Sequence, residues 1–290
     1  MAQTRNFADI PAEYCDPATA SIVIVPVPYD ATSTWLKGAD KGPKALVDAS
    51  VNLELYDIET DFEVYRRGIF VDEPVEGRTL PEEMVEAVRC RVFSHIGRGT
   101  FTVVVGGEHS VSIGSVAAYA QTQHDMTVLQ LDAHSDLRDE YLGSRYNHAC
   151  VMARIRELCP IVQVGIRSMD ICEKKHIRQD KVFFAEDICR CNNWIERVVA
   201  QLSRKVYVTI DLDVFDPSIM PSTGTPEPGG LSWYQVLALL RAVCRQKNVV
   251  AFDVVELCPN EINKAPDYLA AKLVYKLLSY KFASSLADDS

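Results

Sequence analysis

Two short stretches concentrate groups that hold cations. Asp132-Ala-His-Ser-Asp136 follows the apolar run Thr127 to Leu131, and Asp211-Leu-Asp213 follows the apolar run Val206 to Ile210. In an extended chain, residues two apart point to the same side, so Asp132, His134 and Asp136 can converge on one point, as can Asp211 and Asp213. His109 comes just after the run Phe101 to Val105, and Glu256 just after Val249 to Val255. Four carboxylates and two neutral imidazoles carry about four negative charges, enough to balance two divalent cations. Without metal these carboxylates would repel one another. A set rich in oxygen with two imidazoles favours Mn²⁺ first, with zinc, cobalt and iron left open. Taken singly, His109 reads more readily as a loop residue or N-cap neighbour, and Asp211 and Asp213 read equally well as turn or capping residues ahead of Pro217. Three ionisable groups directly after an apolar strand are costly unless paired or coordinated, and the combination points to a metal centre.

The elements that must position these groups are short β-branched runs: Ser21 to Val27, Phe101 to Val105, Thr127 to Leu131, Ile161 to Val164, Val182 to Phe184, Val206 to Ile210 and Val249 to Val254. Each reads as a strand buried on both faces. Helical periodicity marks Pro81 to Ile96, Val111 to Gln121, Ala149 to Leu158, Trp194 to Leu202, Trp233 to Arg245 and Tyr268 to Tyr280. Alternation of the two implies a mainly parallel sheet covered on both sides, with ligands outside the carboxyl ends of its strands. No repeat, low-complexity tract or linker divides the chain, so residues 1–290 are expected to form a single domain.

The 290 residues carry 30 basic and 40 acidic side chains, a formal net charge of −10. That balance repels phosphate backbones and anionic surfaces, so neither nucleic acid nor membrane is an expected partner. No run approaches the roughly 20 apolar residues that span a bilayer, and the start lacks a signal core. A soluble, cytoplasmic protein is the expectation. Nine cysteines, an odd number without a C-x-x-C pair, read as reduced and mostly buried thiols rather than a disulfide framework.

Gly106-Gly-Glu-His-Ser110, Asp132-Ala-His-Ser-Asp136, Asp211-Leu-Asp-Val-Phe-Asp-Pro217 and Thr223-Gly-Thr-Pro-Glu-Pro-Gly-Gly230 resemble the signatures of the ureohydrolase family, which includes arginases and agmatinases. The resemblance runs from about Val25 to Tyr280, and the last stretch is closest to agmatinases. It implies a three-layer α/β/α fold with a central parallel sheet of eight strands, a trimeric or hexameric homo-oligomer, and a centre of two Mn²⁺ per chain. One ion would take His109, Asp132, Asp136 and Asp211, the other Asp132, His134, Asp211 and Asp213, with Asp132 and Asp211 bridging. A water between two such ions becomes hydroxide near neutral pH and attacks a guanidinium carbon. By the same resemblance Glu256 pairs with the guanidinium, Asp136 passes a proton to the leaving amine, and His148 shuttles protons or polarises the site. Glu227 is implied as an outer neighbour of the site. Glu108 stands where arginases usually carry Asp, and Cys150 where many members carry Gly or Thr; both changes leave the metal set intact.

The substrate implied is a small cationic guanidine. Arg138 occupies the place of the Asn with which arginases read the amino-acid head, so arginine itself is disfavoured. If Asp139 or Glu140 neutralises Arg138, the mouth is acidic and suits agmatine, giving putrescine and urea, or aminopropylagmatine, giving spermidine and urea. Asp170 then lies where the family places an amine-binding carboxylate. If Arg138 points inward unpaired, a guanidino acid such as 4-guanidinobutyrate becomes the substrate. The polyamine option, agmatine first, is the expected one. A one-metal zinc deacetylase, a metal phosphoesterase and a metal-binding regulatory pseudoenzyme are the rival readings. The surplus of carboxylates, the lack of a Gly-Asn-His loop and the complete ligand set argue against each in turn.

Overall fold

A computed structural model describes residues 6–284. Its strands are β1 (Ile22–Val27), β2 (Ile69–Val71), β3 (Phe101–Gly106), β4 (Met126–Leu131), β5 (Ile161–Ile166), β6 (Val182–Phe184), β7 (Lys205–Asp211) and β8 (Asn248–Val255). They form one sheet in the order β2-β1-β3-β8-β7-β4-β5-β6. Every pairing is parallel. Its helices are α1 (Gly42–Ser50), α2 (Pro81–Gly97), α3 (Val111–Ala120), α4 (Val151–Ile155), α5 (Ala185–Arg190), α6 (Trp194–Gln201), α7 (Trp233–Gln246) and α8 (Ala265–Ser284).

Alternate residues of the central strands feed two cores. Ile22, Ile24, Val103 and Val105 face a layer with Leu46 of α1, Val198 of α6, Leu240 of α7 and Leu277 of α8. Val23, Val25 and Val104 face Val88 of α2, Val116 of α3 and Val151 of α4. The result is the three-layer sandwich anticipated from the alternating pattern. Helix α7 illustrates the local logic: Ser232 and Gln235 close a reciprocal capping box at its start, and Val236, Leu239, Leu240 and Val243 recur on one buried stripe.

The periodicity misses three elements. Strand β2 is a three-residue edge strand after Gly68, too short to leave a pattern, and it supplies the eighth strand. Helix α1 opens on Gly-Pro, and the six residues of α5 bury only Ala185 and Ile188. The helix expected over Ala149 to Leu158 is reduced to α4. Asn147 first caps a 3₁₀ turn at His148–Cys150, and the chain unwinds toward Pro160. All nine cysteines are free, but only Cys150 and Cys244 are buried. Cys90, Cys172 and Cys189 lie exposed on solvent faces of helical turns, which corrects the expectation of mostly buried thiols. Among the described residues no helix is long and apolar enough to cross a membrane.

Strands β3, β8, β7 and β4 lie side by side, so the four groups of chemical residues share one edge of the sheet. The loop after β3 is stitched there by backbone bonds: Gly107 N donates to Val27 O at 2.8 Å, Glu108 N to Tyr29 O at 2.8 Å, and Glu256 N to Gly107 O at 2.7 Å. Only a residue without a side chain fits at this crossing, because a Cβ on Gly107 would lie 1.9 Å from the Tyr29 carbonyl oxygen. Gly107→Ala should therefore lower stability by about 1–3 kcal/mol through overpacking. Thermal unfolding checks this, and an unchanged midpoint would contradict the tight crossing.

Candidate metal centre

The two aspartate motifs converge by a different route from the extended geometry read in the sequence. Strand β4 ends at Leu131, and Asp132 turns the chain by accepting His134 N at 2.5 Å. Asp136 then sits at φ +52°, in the left-handed region. On the other strand, Asp211 Oδ1 accepts Asp213 N at 2.9 Å, bending the chain into a 3₁₀ turn. Short polar turns thus place the carboxylates, because each aspartate can bond to backbone two residues ahead. Glu256, one residue past β8, is also left-handed at φ +66°; such a conformation costs roughly 1–2 kcal/mol.

These turns bring all six expected ligands together. His109 Nδ1 lies 3.1 Å from Asp132 Oδ2, 3.1 Å from Asp136 Oδ2 and 3.4 Å from Asp211 Oδ2. His134 Nδ1 lies 2.8 Å from Asp213 Oδ2 and 3.7 Å from Asp132 Oδ1. Two potential cation sites result, one from His109, Asp132 and Asp211 and one from Asp132, His134 and Asp213. Asp132 belongs to both, as a bridging ligand should; Asp211, the other expected bridge, falls in the first group only, and Asp136, though 3.1 Å from His109 Nδ1, falls in neither.

The surroundings fix which imidazole nitrogen is available. Thr209 Oγ1 donates to Asp253 Oδ1 at 2.6 Å, so it can only accept from His109 Nε2, 2.9 Å away. His109 is thereby held with Nε2 protonated, and Nδ1, buried without a hydrogen-bond partner, faces the three carboxylates. An orphaned buried nitrogen among acidic oxygens is the environment that a divalent cation satisfies. On the outer side of His134, Glu227 Oε1 stands 3.9 Å from Nε2, as implied for that residue. Arg167 pins the Glu227 loop to the aspartate turn, donating to Asp213 O at 2.6 Å and Glu227 O at 2.9 Å.

Electrostatics point the same way. Burial raises the Asp136 carboxyl to about 7, reinforced by the neighbouring Asp132, and burial with Asp213 and Asp132 raises Asp211 well above the usual range. Burial opposes charge on His134, but Asp213 and Asp132 outweigh it and push the imidazole up to about 12.

A cleft of about 270 Å³ opens over this cluster. Glu256 lines it; Oε1 accepts His109 N at 2.7 Å, which leaves Oε2 for a ligand. His148 also lines it, and burial, ahead of the imidazoles of His134 and His109, lowers its pKa to about 4. At the mouth, Arg138 follows neither sequence option. Asp139 turns the other way to bind Arg145 and Arg154, while Arg138 Nη2 lies 3.5 Å from Asp170 Oδ2 and its guanidinium stacks 4.4 Å from the Tyr141 ring. Asp170 also caps a 3₁₀ turn in a reciprocal box with Glu173.

Sequence reading missed Glu173, which accepts Ser135 Oγ and Leu137 N at 2.7 Å each and ties the Asp132–Asp136 loop to that turn. The capping spacing Asp170-Ile-Cys-Glu173 was the available signal. It also missed Thr209 and Asp253, for which no local motif exists.

The arginase family model matches residues 20–279. The chain belongs to the arginase family. Arginase-family enzymes are hydrolases of guanidino compounds with a binuclear metal centre, and the two clusters sharing Asp132 suit that centre. Among relatives, an N(1)-aminopropylagmatine ureohydrolase of Synechocystis sp. is 39% identical, over 91% of this chain and 90% of its own. An agmatinase of Pyrococcus horikoshii is 32% identical, over 94% and 96%. The solved agmatine ureohydrolase of Thermoplasma volcanium superposes with a TM-score of 0.86 at 30% identity, covering 99% of this chain and 97% of that one. The arginase-family fold with its parallel sheet thus extends over essentially the whole described chain.

Asp132→Asn should weaken both cation sites, whereas Thr209→Val, which only releases His109, should weaken one by about 10- to 100-fold. Calorimetric titration with Mn²⁺ checks this; equal losses at both sites in Thr209→Val would contradict the assignment.

Proposed function

We propose that this chain is a binuclear manganese ureohydrolase acting on N(1)-aminopropylagmatine, releasing spermidine and urea. The observation that carries the reading is the pair of carboxylate–imidazole clusters sharing Asp132 beneath a cleft that also presents Glu256. His109, Asp132, Asp136 and Asp211 would hold one ion, and Asp132, His134, Asp211 and Asp213 the other. The ions, when bound, supply the Lewis acidity that makes a water nucleophilic near neutral pH.

The protein's own groups do the rest. Glu256 receives the guanidinium nitrogens and orients the carbon to be attacked, a pairing favoured by its burial away from competing water. Asp136 carries a proton to the leaving amine, a task open to a carboxylate that faces both the ions and the cleft. His148 accepts or returns a proton at the cleft wall.

The mouth supports a cationic tail. Asp170 and Glu173 outnumber Arg138 there, and Arg138 is already engaged with Asp170, which leaves no unpaired guanidinium to receive a carboxylate. Exposed Trp35 and the ring of Tyr141 offer faces for methylenes and ammonium groups. Relatives of 39% and 41% identity bear the aminopropylagmatine name, which favours the longer substrate. Agmatine is the second reading, supported by the Thr225-Pro-Glu-Pro-Gly-Gly230 wall and the 32% identical agmatinase. Trimeric or hexameric assembly belongs to the same proposal, and exposed Tyr56, Ile58 and Tyr234 around one groove are apolar surface that it would cover.

Urea release should be measured with Mn²⁺ on N(1)-aminopropylagmatine, agmatine, arginine and 4-guanidinobutyrate. The highest kcat/KM is expected for the aminopropyl compound, then agmatine, with little on the other two. Preference for 4-guanidinobutyrate, lost in Arg138→Ala, would overturn the polyamine reading.

A further inference from the structure

A second carboxylate–threonine–histidine chain reaches the cleft at His148, behind which lie Thr32 and Glu108, the residue before the ligand His109. Glu108 is fully buried and receives four donors: Thr32 N at 2.5 Å and Ser33 N at 3.2 Å on Oε2, Thr32 Oγ1 at 2.6 Å and Ser110 Oγ at 2.6 Å on Oε1. Burial raises the Glu108 carboxyl, while the Ser110 and Thr32 donors pull it back; two backbone N–H groups fix Oε2 as an acceptor, and with two hydroxyls on Oε1 the four donors make the environment of a carboxylate. Thr32 spends its single hydroxyl proton on Glu108, so its oxygen can only accept toward His148. It does so twice, from His148 N at 2.9 Å and from the ring at Nδ1, 3.1 Å away. Nδ1 therefore carries the proton whether the ring is neutral or charged. Among the described residues Nε2, on the far side of the ring, has no hydrogen-bond partner, and His148 lines the cleft.

We infer that Glu108 and Thr32 are positioning residues that act through His148, fixing the Nδ1–H tautomer so that Nε2 meets the substrate as a proton acceptor. The inference rests on the ureohydrolase reading for its consequence in turnover, but its tautomer stands on geometry alone. A ring free to flip or to protonate at Nε2 would present a donor to a cationic substrate, which is the wrong polarity for taking a proton from it. The Tyr141 ring, edge-on to His148 at 6.3 Å between centroids, limits the space for such a flip. Thr32 thus does for His148 what Thr209 does for His109, with Glu108 in the place of Asp253.

The test compares the wild type with Thr32→Val, which keeps the shape and removes the hydroxyl, and Thr32→Ser, which restores it. Long-range proton–nitrogen NMR of histidine-labelled protein, loaded with diamagnetic Mg²⁺, reads the tautomer, and loss of signals in His148→Gln assigns them. The wild type and Thr32→Ser should show His148 protonated at Nδ1. Thr32→Val should show protonation at Nε2 or a mixture, with kcat for the best guanidine lower by about 10- to 100-fold and KM little changed. An Nε2–H wild type, a Thr32→Val protein with wild-type tautomer or kcat, or failure of Thr32→Ser to restore both would overturn the inference. Wild-type protein inactive on every guanidine would instead overturn the ureohydrolase reading, and the tautomer spectra, recorded on the same samples, would still decide this one.

Discussion

Mutual repulsion among four buried carboxylates is the constraint on which the rest of the structure depends. Asp132, Asp136, Asp211 and Asp213 are all less than a tenth exposed, and three of them lie within 3.4 Å of one imidazole nitrogen. Removing such charges from water costs several kcal/mol each unless cations compensate them. Crowding and burial raise the pKa of His109, His134, Asp136 and Asp211, so these groups hold protons more tightly than usual when no cation competes for them. Because these groups bind protons up to neutral pH and beyond, cation affinity must rise with pH, and binding must expel protons.

The scaffold is what makes this tolerable. Four adjacent parallel strands end at one edge, and each contributes its acids or imidazole from its last residue or the few that follow it. Tight turns then do the aiming: the side-chain-to-backbone turns of Asp132 and Asp211, left-handed Asp136 and Glu256, and the crossing at Gly107. Behind them, buried polar groups take up the remaining valences. Gln130 Nε2 donates to Asp132 at 2.7 Å while its oxygen accepts from Gln163 at 2.7 Å, so neither amide is left unsatisfied.

Much of this was legible in the sequence. Apolar runs followed at once by acids located both the strands and the ligands, since an ionisable group at the end of a buried strand is costly until a partner or a metal takes up its charge. The route of convergence was not legible, because alternation describes extended chain and these loops turn by aspartate side chains bonding their own backbone. Arg138 went astray for a related reason: its neighbours in sequence point away from it, and its partner Asp170 comes from the next strand's loop. Least visible were the threonines. Thr32 and Glu108 are 76 residues apart, and no spacing rule joins them; only the parallel pairing of β1 with β3 does so.

The exchange of protons for metal is the central claim, and it can be measured directly. Metal-free protein is titrated with Mn²⁺ near pH 7 in two buffers of different ionisation enthalpy, which yields ions bound and protons released together. Two ions per chain with net proton release are predicted, and affinity should fall when the titration is repeated at lower pH. A single ion, or two ions bound with no proton released, would contradict the account.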